Sequence, residues 1–277
     1  MRHARACHLV RGTRLPGGGS PWQKNMKRLL ENLLGLLFPP VCAACRLPLP
    51  TMGKFLCAEC LSGVKQLESP KCSICGLPFE SRSGPDHICG KCMKRRPSFK
   101  QAVSCFIYKG PVRKLIHRIK FNGDAYASRA LCSLSAEVIR ASILQEMSIT
   151  NIIRGAGVMV VPIPLHIARL RRRGFNQAAT MAASLFPKDK VYVDILQRTR
   201  DTRPQMQLSE RQRHDNLRGA FRLRHNRQGV VKGANIILFD DILTTGATME
   251  NAACELVRAG ASSVCVLTLS RAVTVKV

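Results

Sequence analysis

The stretch Ile236-Ile237-Leu238-Phe239-Asp240-Asp241-Ile242-Leu243-Thr244-Thr245-Gly246-Ala247-Thr248 constrains the fold of this 277-residue chain more than any other. Its first four residues form a continuous apolar run, the mark of a strand covered on both faces, as in a parallel sheet. Helical spacing from Thr248 to Ala259 and a second apolar run at Val264–Leu269 complete a strand–helix–strand unit of an α/β sheet. Upstream, Ala102–Tyr108 reads as a strand, Gly110-Pro111 as a turn and Val112–Ile119 as a short helix. Leu131–Ile143 reads as a helix, Val158–Ile163 as a buried strand and Gln177–Leu185 as a helix. Thr199–Leu223 is polar, dense in arginine, and shows no clear buried face.

The residues after the first apolar run have a chemical logic. The strand delivers Asp240 and Asp241 to the C-terminal edge of the sheet, where open α/β sheets bind ligands. Two adjacent carboxylates accept hydrogen bonds from a vicinal diol such as that of ribose, and both are expected on a solvent-facing strand end. Thr244, Thr245, Gly246, Ala247 and Thr248 then open a helix. Backbone N–H groups, threonine hydroxyls and the helix dipole there suit a phosphate, and Gly246 permits close backbone approach. Either half alone is ordinary, a solvated turn or a helix cap. Together, after a buried strand, they point to a ribose-phosphate ligand.

Thirteen cysteines are present, and eight form four Cys-x-x-Cys pairs: Cys42/Cys45, Cys57/Cys60, Cys72/Cys75 and Cys89/Cys92. This is metal-ligand spacing in a reducing compartment rather than a disulfide framework. Two knuckles complete one tetrahedron, so eight thiolates serve two structural zinc ions. Short intervening loops favour sequential pairing of the knuckles, with a cross-braced alternation left open. His87 as a replacement ligand, and redox use of one pair, are weaker readings. Cys105, Cys132, Cys254 and Cys265 lie in apolar surroundings, where free cysteine is usually inert core.

Charge is the remaining outlier. Forty-four Lys and Arg against 17 Asp and Glu give a formal net charge of +27, which attracts nucleic acid, phosphorylated small molecules or anionic membrane. Aromatic residues at only 5% offer few platforms for base stacking. Arginines recur in Arg169-Leu170-Arg171-Arg172-Arg173-Gly174-Phe175-Asn176-Gln177 and again from Arg198 onward, and their planar forks suit phosphate oxygens.

The Asp240–Thr248 motif resembles the phosphoribosyl-pyrophosphate signature of type I phosphoribosyltransferases. Add Val161-Pro162-Ile163-Pro164, the Arg169–Gln177 string, and Arg198, Thr202, Gln205, Leu208, Arg211 and Asn216–Phe221, and the chain resembles the ComF family, GntX-like proteins included. The cysteine pairs and Tyr108–Lys120 fit the same family, so the resemblance covers residues 30–271. It implies a type I phosphoribosyltransferase-like parallel sheet with helices on both faces, preceded by a small zinc-binding module. It places Pro162 in a pyrophosphate loop and Arg169, Arg173 or Arg198 on the pyrophosphate charge. It implies phosphoribosyl pyrophosphate as ligand, with Mg²⁺ bridging its oxygens, and a part in DNA uptake for natural transformation or in use of DNA as a nutrient. Phe239 stands where the family often has valine, a change of packing more than of chemistry.

Three segments are expected: a basic, disordered tail over 1–25, an amphipathic helix and double zinc finger over 26–96, and the phosphoribosyltransferase-like domain over 97–277. Leu29–Phe38 after Met26-Lys27-Arg28 is no signal peptide, because Glu31 and Asn32 interrupt it and Pro39-Pro40 comes next. Met26 is a candidate translation start. No apolar run approaches the ~20 residues of a membrane span, and a cytoplasmic protein is expected. Two functions fit: phosphoribosyl transfer, or a non-catalytic module that senses phosphoribosyl pyrophosphate or binds single-stranded DNA through the knuckles and the helix carrying Arg113, Lys114, His117, Arg118 and Lys120.

Overall fold

The computed structural model describes residues 39–50, 53–81, 83–140, 158–201 and 219–273, with Trp22 and Met26. But for those last two residues, the expected tail and amphipathic helix lie outside the described residues, as do the C-terminal end of the helix expected to reach Ile143 and the arginine-rich stretch 202–218.

Four strands form one parallel sheet: β1 (Ala102–Ile107), β2 (Val158–Pro162), β5 (Asn235–Leu243) and β6 (Ser263–Arg271), in the order β1-β6-β5-β2. A short antiparallel pair, β3 (Leu196–Arg198) and β4 (Phe221–Leu223), stands apart from it. Side chains alternate along each strand. Val103, Cys105, Val158, Val160, Ile237, Phe239, Cys265 and Leu267 belong to one apolar cluster. Met159, Val161, Ile236, Leu238, Val264 and Val266 belong to a second.

Helices cover both faces. The first cluster takes in the buried stripes of α3 (Gly110–Asn122), α4 (Ala125–Val138) and α6 (Gln177–Leu185). The second takes in Met249, Ala252, Ala253 and Leu256 of α8 (Ala247–Arg258), Val231 of the short α7 (Gln228–Val231), and Leu196 and Phe221 of the β3–β4 pair. Gly110-Pro111, expected as a turn, is instead the first turn of α3, because proline at the start of a helix lacks only an N–H that the helix leaves unused. The polar stretch before Leu223 also ends in a buried element, since Ala220 and Phe221 are enclosed.

The cysteine region is two copies of one turn. In the first, Cys42 N donates to Leu47 O and Arg46 N to Cys42 O; in the second, Cys72 N donates to Leu77 O and Gly76 N to Cys72 O. The chain then enters a one-turn helix at each second pair, α1 (Ala58–Ser62) and α2 (Gly90–Lys94). The copies dock on opposite faces of the sheet. Cys42, Ala43, Leu49 and Leu56 join the first cluster, whereas Cys72, Ile74, Cys89 and Cys92 join the second. Between them, residues 65–67 run antiparallel to β1, with Leu67 N donating to Cys105 O and Ile107 N to Lys65 O, which covers that sheet edge. Gly76 is required where the second copy meets β1: its φ is +65°, and a Cβ there would stand 2.6 Å from Ala102 O.

Candidate functional site

The C-terminal edge of β5 carries the acidic pair. Because the strand continues to Leu243, successive side chains leave opposite faces, and the two aspartates have different surroundings. Asp241 is 2% exposed. Lys120 Nζ, near the end of α3, lies 2.6 Å from its Oδ2, and Gln177 Nε2, at the start of α6, donates to its Oδ1 at 3.4 Å. Arg173 of α5 (Ile167–Arg173) donates in turn to Gln177 Oε1. Burial alone would raise the Asp241 carboxyl, but the Lys120 charge together with hydrogen bonds from Asp240, Lys120 and Gln177 holds the group below the usual carboxylate range. Asp240 stays partly exposed. Burial and the adjacent Asp241 charge hold its carboxyl well above the usual range, with Lys120 opposing. The expectation of two solvent-facing acids is therefore corrected: Asp240 reaches the edge, and Asp241 is a buried anchor.

After Leu243 the chain turns at Gly246, whose φ of +86° makes it the N-cap of α8. Among the described residues, no atom beyond its chain neighbours stands within 4 Å of a Cβ built there, so this side of the turn is open to them. Thr245 Oγ1 accepts from Ala247 N at 3.4 Å, Thr244 is exposed, and Thr248 lies in the first turn of α8. Glu250 accepts from both the N and Oγ of Ser98, which ties α8 to the end of the cysteine region. The N-terminal turn of this twelve-residue helix thus follows directly on the acidic pair.

Pro162 ends β2, buried and paired with Phe239, and Ile163 N donates to Phe239 O. Asn176 holds the adjoining loop: its Oδ1 caps α6 at Ala178 N, and its Nδ2 donates to Ile163 O. Arg169 pairs with Asp201 at 3.3 Å. Arg198 lies over the Phe221 ring at 5.5 Å, on a strand bridged to His166. Burial pushes Arg198 down to about 10, helped by the like charge of Arg169 and opposed by Asp240 and Asp201. Arg173 is also pushed down by burial, against the pull of Asp241. Arg173 and Arg198 thus stand within electrostatic reach of the acidic pair, and Arg169 within reach of both arginines.

The thiols form two groups, Cys42/Cys45/Cys57/Cys60 and Cys72/Cys75/Cys89/Cys92, each with its sulfurs within 4.8 Å of one another. This is the sequential pairing. Cys45 and Cys57 Sγ lie 3.7 Å apart, and Cys75 and Cys89 Sγ 3.8 Å. A tetrahedron with Zn–S bonds of about 2.3 Å has corners about 3.8 Å apart, so the sulfurs fit zinc. N–H groups of Cys57 and Cys89 point at Cys42 and Cys72 Sγ, at 3.4 and 3.3 Å. His87 stacks on Phe79 with ring centres 3.9 Å apart, outside the thiol group.

A model of the double zinc ribbon domain matches residues 33–93, and one of the phosphoribosyl transferase domain matches residues 140–273. The chain is 34% identical over 242 residues to the DNA utilization protein YhgH of Salmonella typhimurium, covering 85% of this chain and 99% of the relative. It is 30% identical over 234 residues to competence protein F of Haemophilus influenzae, covering 83% and 96%. With competence protein ComFC of Bacillus subtilis it shares 28% over 223 residues, covering 78% and 84%. The chain belongs to the ComF family.

Within this ComF chain, two contributors at the edge carry no local signal of their role. Lys120 reads in sequence as one more cation of a basic helix, and Gln177 as the first residue of a helix. Only the packing of α3 and α6 against one face of β5 brings both to Asp241. The basic helix also needs correction as a free surface: Arg118 is paired with Asp124 and Lys120 with Asp241, leaving Arg113, Lys114 and His117 exposed. Among the described residues no helix is long and apolar enough to cross a membrane.

Proposed function

We propose that this ComF protein binds phosphoribosyl pyrophosphate at the β5–α8 edge. The observation that carries the reading is the partly exposed Asp240 just before the Thr244–Thr248 turn, which is open at Gly246, with Arg173 and Arg198 within electrostatic reach of the acids. Asp240 accepts from the ribose hydroxyls, the turn and first amides of α8 hold the 5′-phosphate, and the arginines meet the pyrophosphate. Asp241 is already neutralised by Lys120, so the pair is a poor resident Mg²⁺ site; the ion arrives on phosphate oxygens, as is its habit. In transfer, the bond from ribose C1 to pyrophosphate breaks with its electron pair leaving on pyrophosphate, and C1 bonds to an acceptor. Calorimetry with phosphoribosyl pyrophosphate and Mg²⁺ tests the binding, and pyrophosphate release across acceptors tests the transfer. Unchanged affinity in Asp240→Ala would reject the site. The thiol-rich zinc sites accord with a cytoplasmic protein.

A second reading concerns single-stranded DNA, in line with the names of the DNA utilization and competence relatives. One observation favours it. Phe121, 68% exposed, packs on His117 one turn earlier with ring centres 4.4 Å apart, and Arg113 and Lys114 stand exposed on the same helix. An exposed ring beside cations is what base stacking and phosphate contact require.

A further inference from the structure

Arg271 closes β6 and is 5% exposed. Its Nη2 lies 4.0 Å from Cys75 Sγ, while its Nε and Nη1 have no hydrogen-bond partner among the described residues. A guanidinium so enclosed is unfavourable unless an opposite charge lies against it. Cys75 belongs to the second thiol group, whose four sulfurs all lie within 4.8 Å of one another. A divalent ion held by four thiolates leaves two negative charges on that group, and a cation beside it removes part of the surplus. At the first group the neighbouring cation, Arg46, is exposed and pairs with Asp124 instead.

We propose that Arg271 is the buried counter-ion of the second tetrathiolate site, and that through it the metal there steadies the ligand-binding edge of the sheet. The backbone makes the connection. Arg271 stands opposite Leu243 in the β5–β6 register, Ala272 N donates to Leu243 O at 2.9 Å, and Tyr108 N donates to Arg271 O at 2.8 Å. Leu243 is the last residue before Thr244. A metal that fixes the guanidinium therefore fixes the ends of β1, β5 and β6 together. Both ribbons pack by apolar contact, and the second adds a buried cation from the sheet at its thiol group.

The idea rests on zinc occupancy and not on the identity of the ligand, so its test uses none. Full-length protein loaded with ¹¹³Cd gives one NMR resonance per tetrathiolate site. Arg271→Lys should move one resonance and leave the other in place. Arg271→Met should surrender one metal to a chelator about tenfold faster or more, the size of one charge-assisted hydrogen bond, with the other rate unchanged. Amide exchange at Ala272 should quicken in the same variant. Two unmoved resonances in Arg271→Lys overturn the counter-ion role, even should Arg271→Met fail to fold. A loosened metal with unchanged exchange at Ala272 overturns the link to the sheet edge.

Discussion

Lys120 Nζ and Asp241 Oδ2 stand 2.6 Å apart where the end of α3 meets β5, with Asp241 almost fully enclosed. Removing one partner of such a pair leaves a buried charge without compensation, at a cost of about 3–5 kcal/mol. Lys120→Met should therefore destabilise the protein by that order. Adding Asp241→Asn should restore part of the loss, because the stranded charge goes with it. Urea unfolding of the single and double variants measures both; a loss under about 1 kcal/mol in Lys120→Met would mean the pair is not the anchor.

Asp240 behaves differently with pH. Its raised pKa means the folded protein keeps a proton that the unfolded chain gives up. Its contribution to stability is present below the unfolded carboxylate range and is lost as pH rises through the raised value. Asp241 has the opposite sign: its lowered pKa contributes stability above the ordinary range, lost as pH falls through the folded value. Ribose hydroxyls donate to the ionised carboxylate, so affinity for phosphoribosyl pyrophosphate should rise as Asp240 loses its proton. Calorimetry over a pH series should show that rise in the wild type and a flat profile in Asp240→Asn. Equal slopes in the two proteins would assign the titration elsewhere.

The sheet core is legible in sequence because its strands are buried on both faces. Ile236–Phe239 is apolar without interruption and Val158–Ile163 nearly so, the mark of strands covered on both faces. The motif after β5 is legible because strand, turn and helix succeed one another in thirteen residues. The burial of Asp241 is not, because alternation assigns its face only once the strand is known to run past it, to Leu243. Lys120 is 121 residues from its partner Asp241, and Arg271 lies 196 residues from Cys75, so neither pairing has a local signature. Loop length favours the sequential zinc pairing without excluding a cross-braced one; the docking of the two ribbons on opposite faces has no signal at all, since their turns are near copies.

Gly246→Ala separates backbone from space at the ligand edge. A Cβ there meets nothing within 4 Å among the described residues beyond its chain neighbours, yet a φ of +86° is strained for any L side chain. The variant should lose about 1–2 kcal/mol of stability from that strain, and its methyl group should obstruct a phosphate seated on the turn. Weaker binding of inorganic phosphate and of phosphoribosyl pyrophosphate, seen by calorimetry on folded variant, is the expected result. Unaltered affinity for both would move the phosphate away from this turn.

The two thiol groups set a stoichiometry. Purified protein should carry two zinc ions per chain, one for each group. Cys42→Ser should lower the elemental count to one while leaving the second ribbon loaded, and Cys72→Ser should do the converse. Structural zinc contributes folding energy directly, so either variant should unfold at lower urea than the wild type. A count of two in either variant would show that the substituted thiol is not a ligand.

The exposed ring pair on α3 gives the nucleic-acid reading its sharpest test. If single-stranded DNA lies along this helix, Phe121→Ala should cost about 1–3 kcal/mol of binding, the usual worth of one stacked base. Arg113→Ala and Lys114→Ala act through phosphate, so each should reduce the slope of log affinity against log salt by about 0.7, the value for one contact to a single strand. Arg118 does not belong in this set, because it holds Asp124, the N-cap of α4, and its loss would disturb the fold rather than report a contact. Fluorescence anisotropy of a labelled oligonucleotide over a salt series separates the stacking and phosphate effects. Phe121→Ala should weaken binding at every salt concentration with the slope retained, whereas the cation variants should flatten the slope. Wild-type affinity in Phe121→Ala, together with an unchanged slope in the cation variants, would place any DNA contact on another surface.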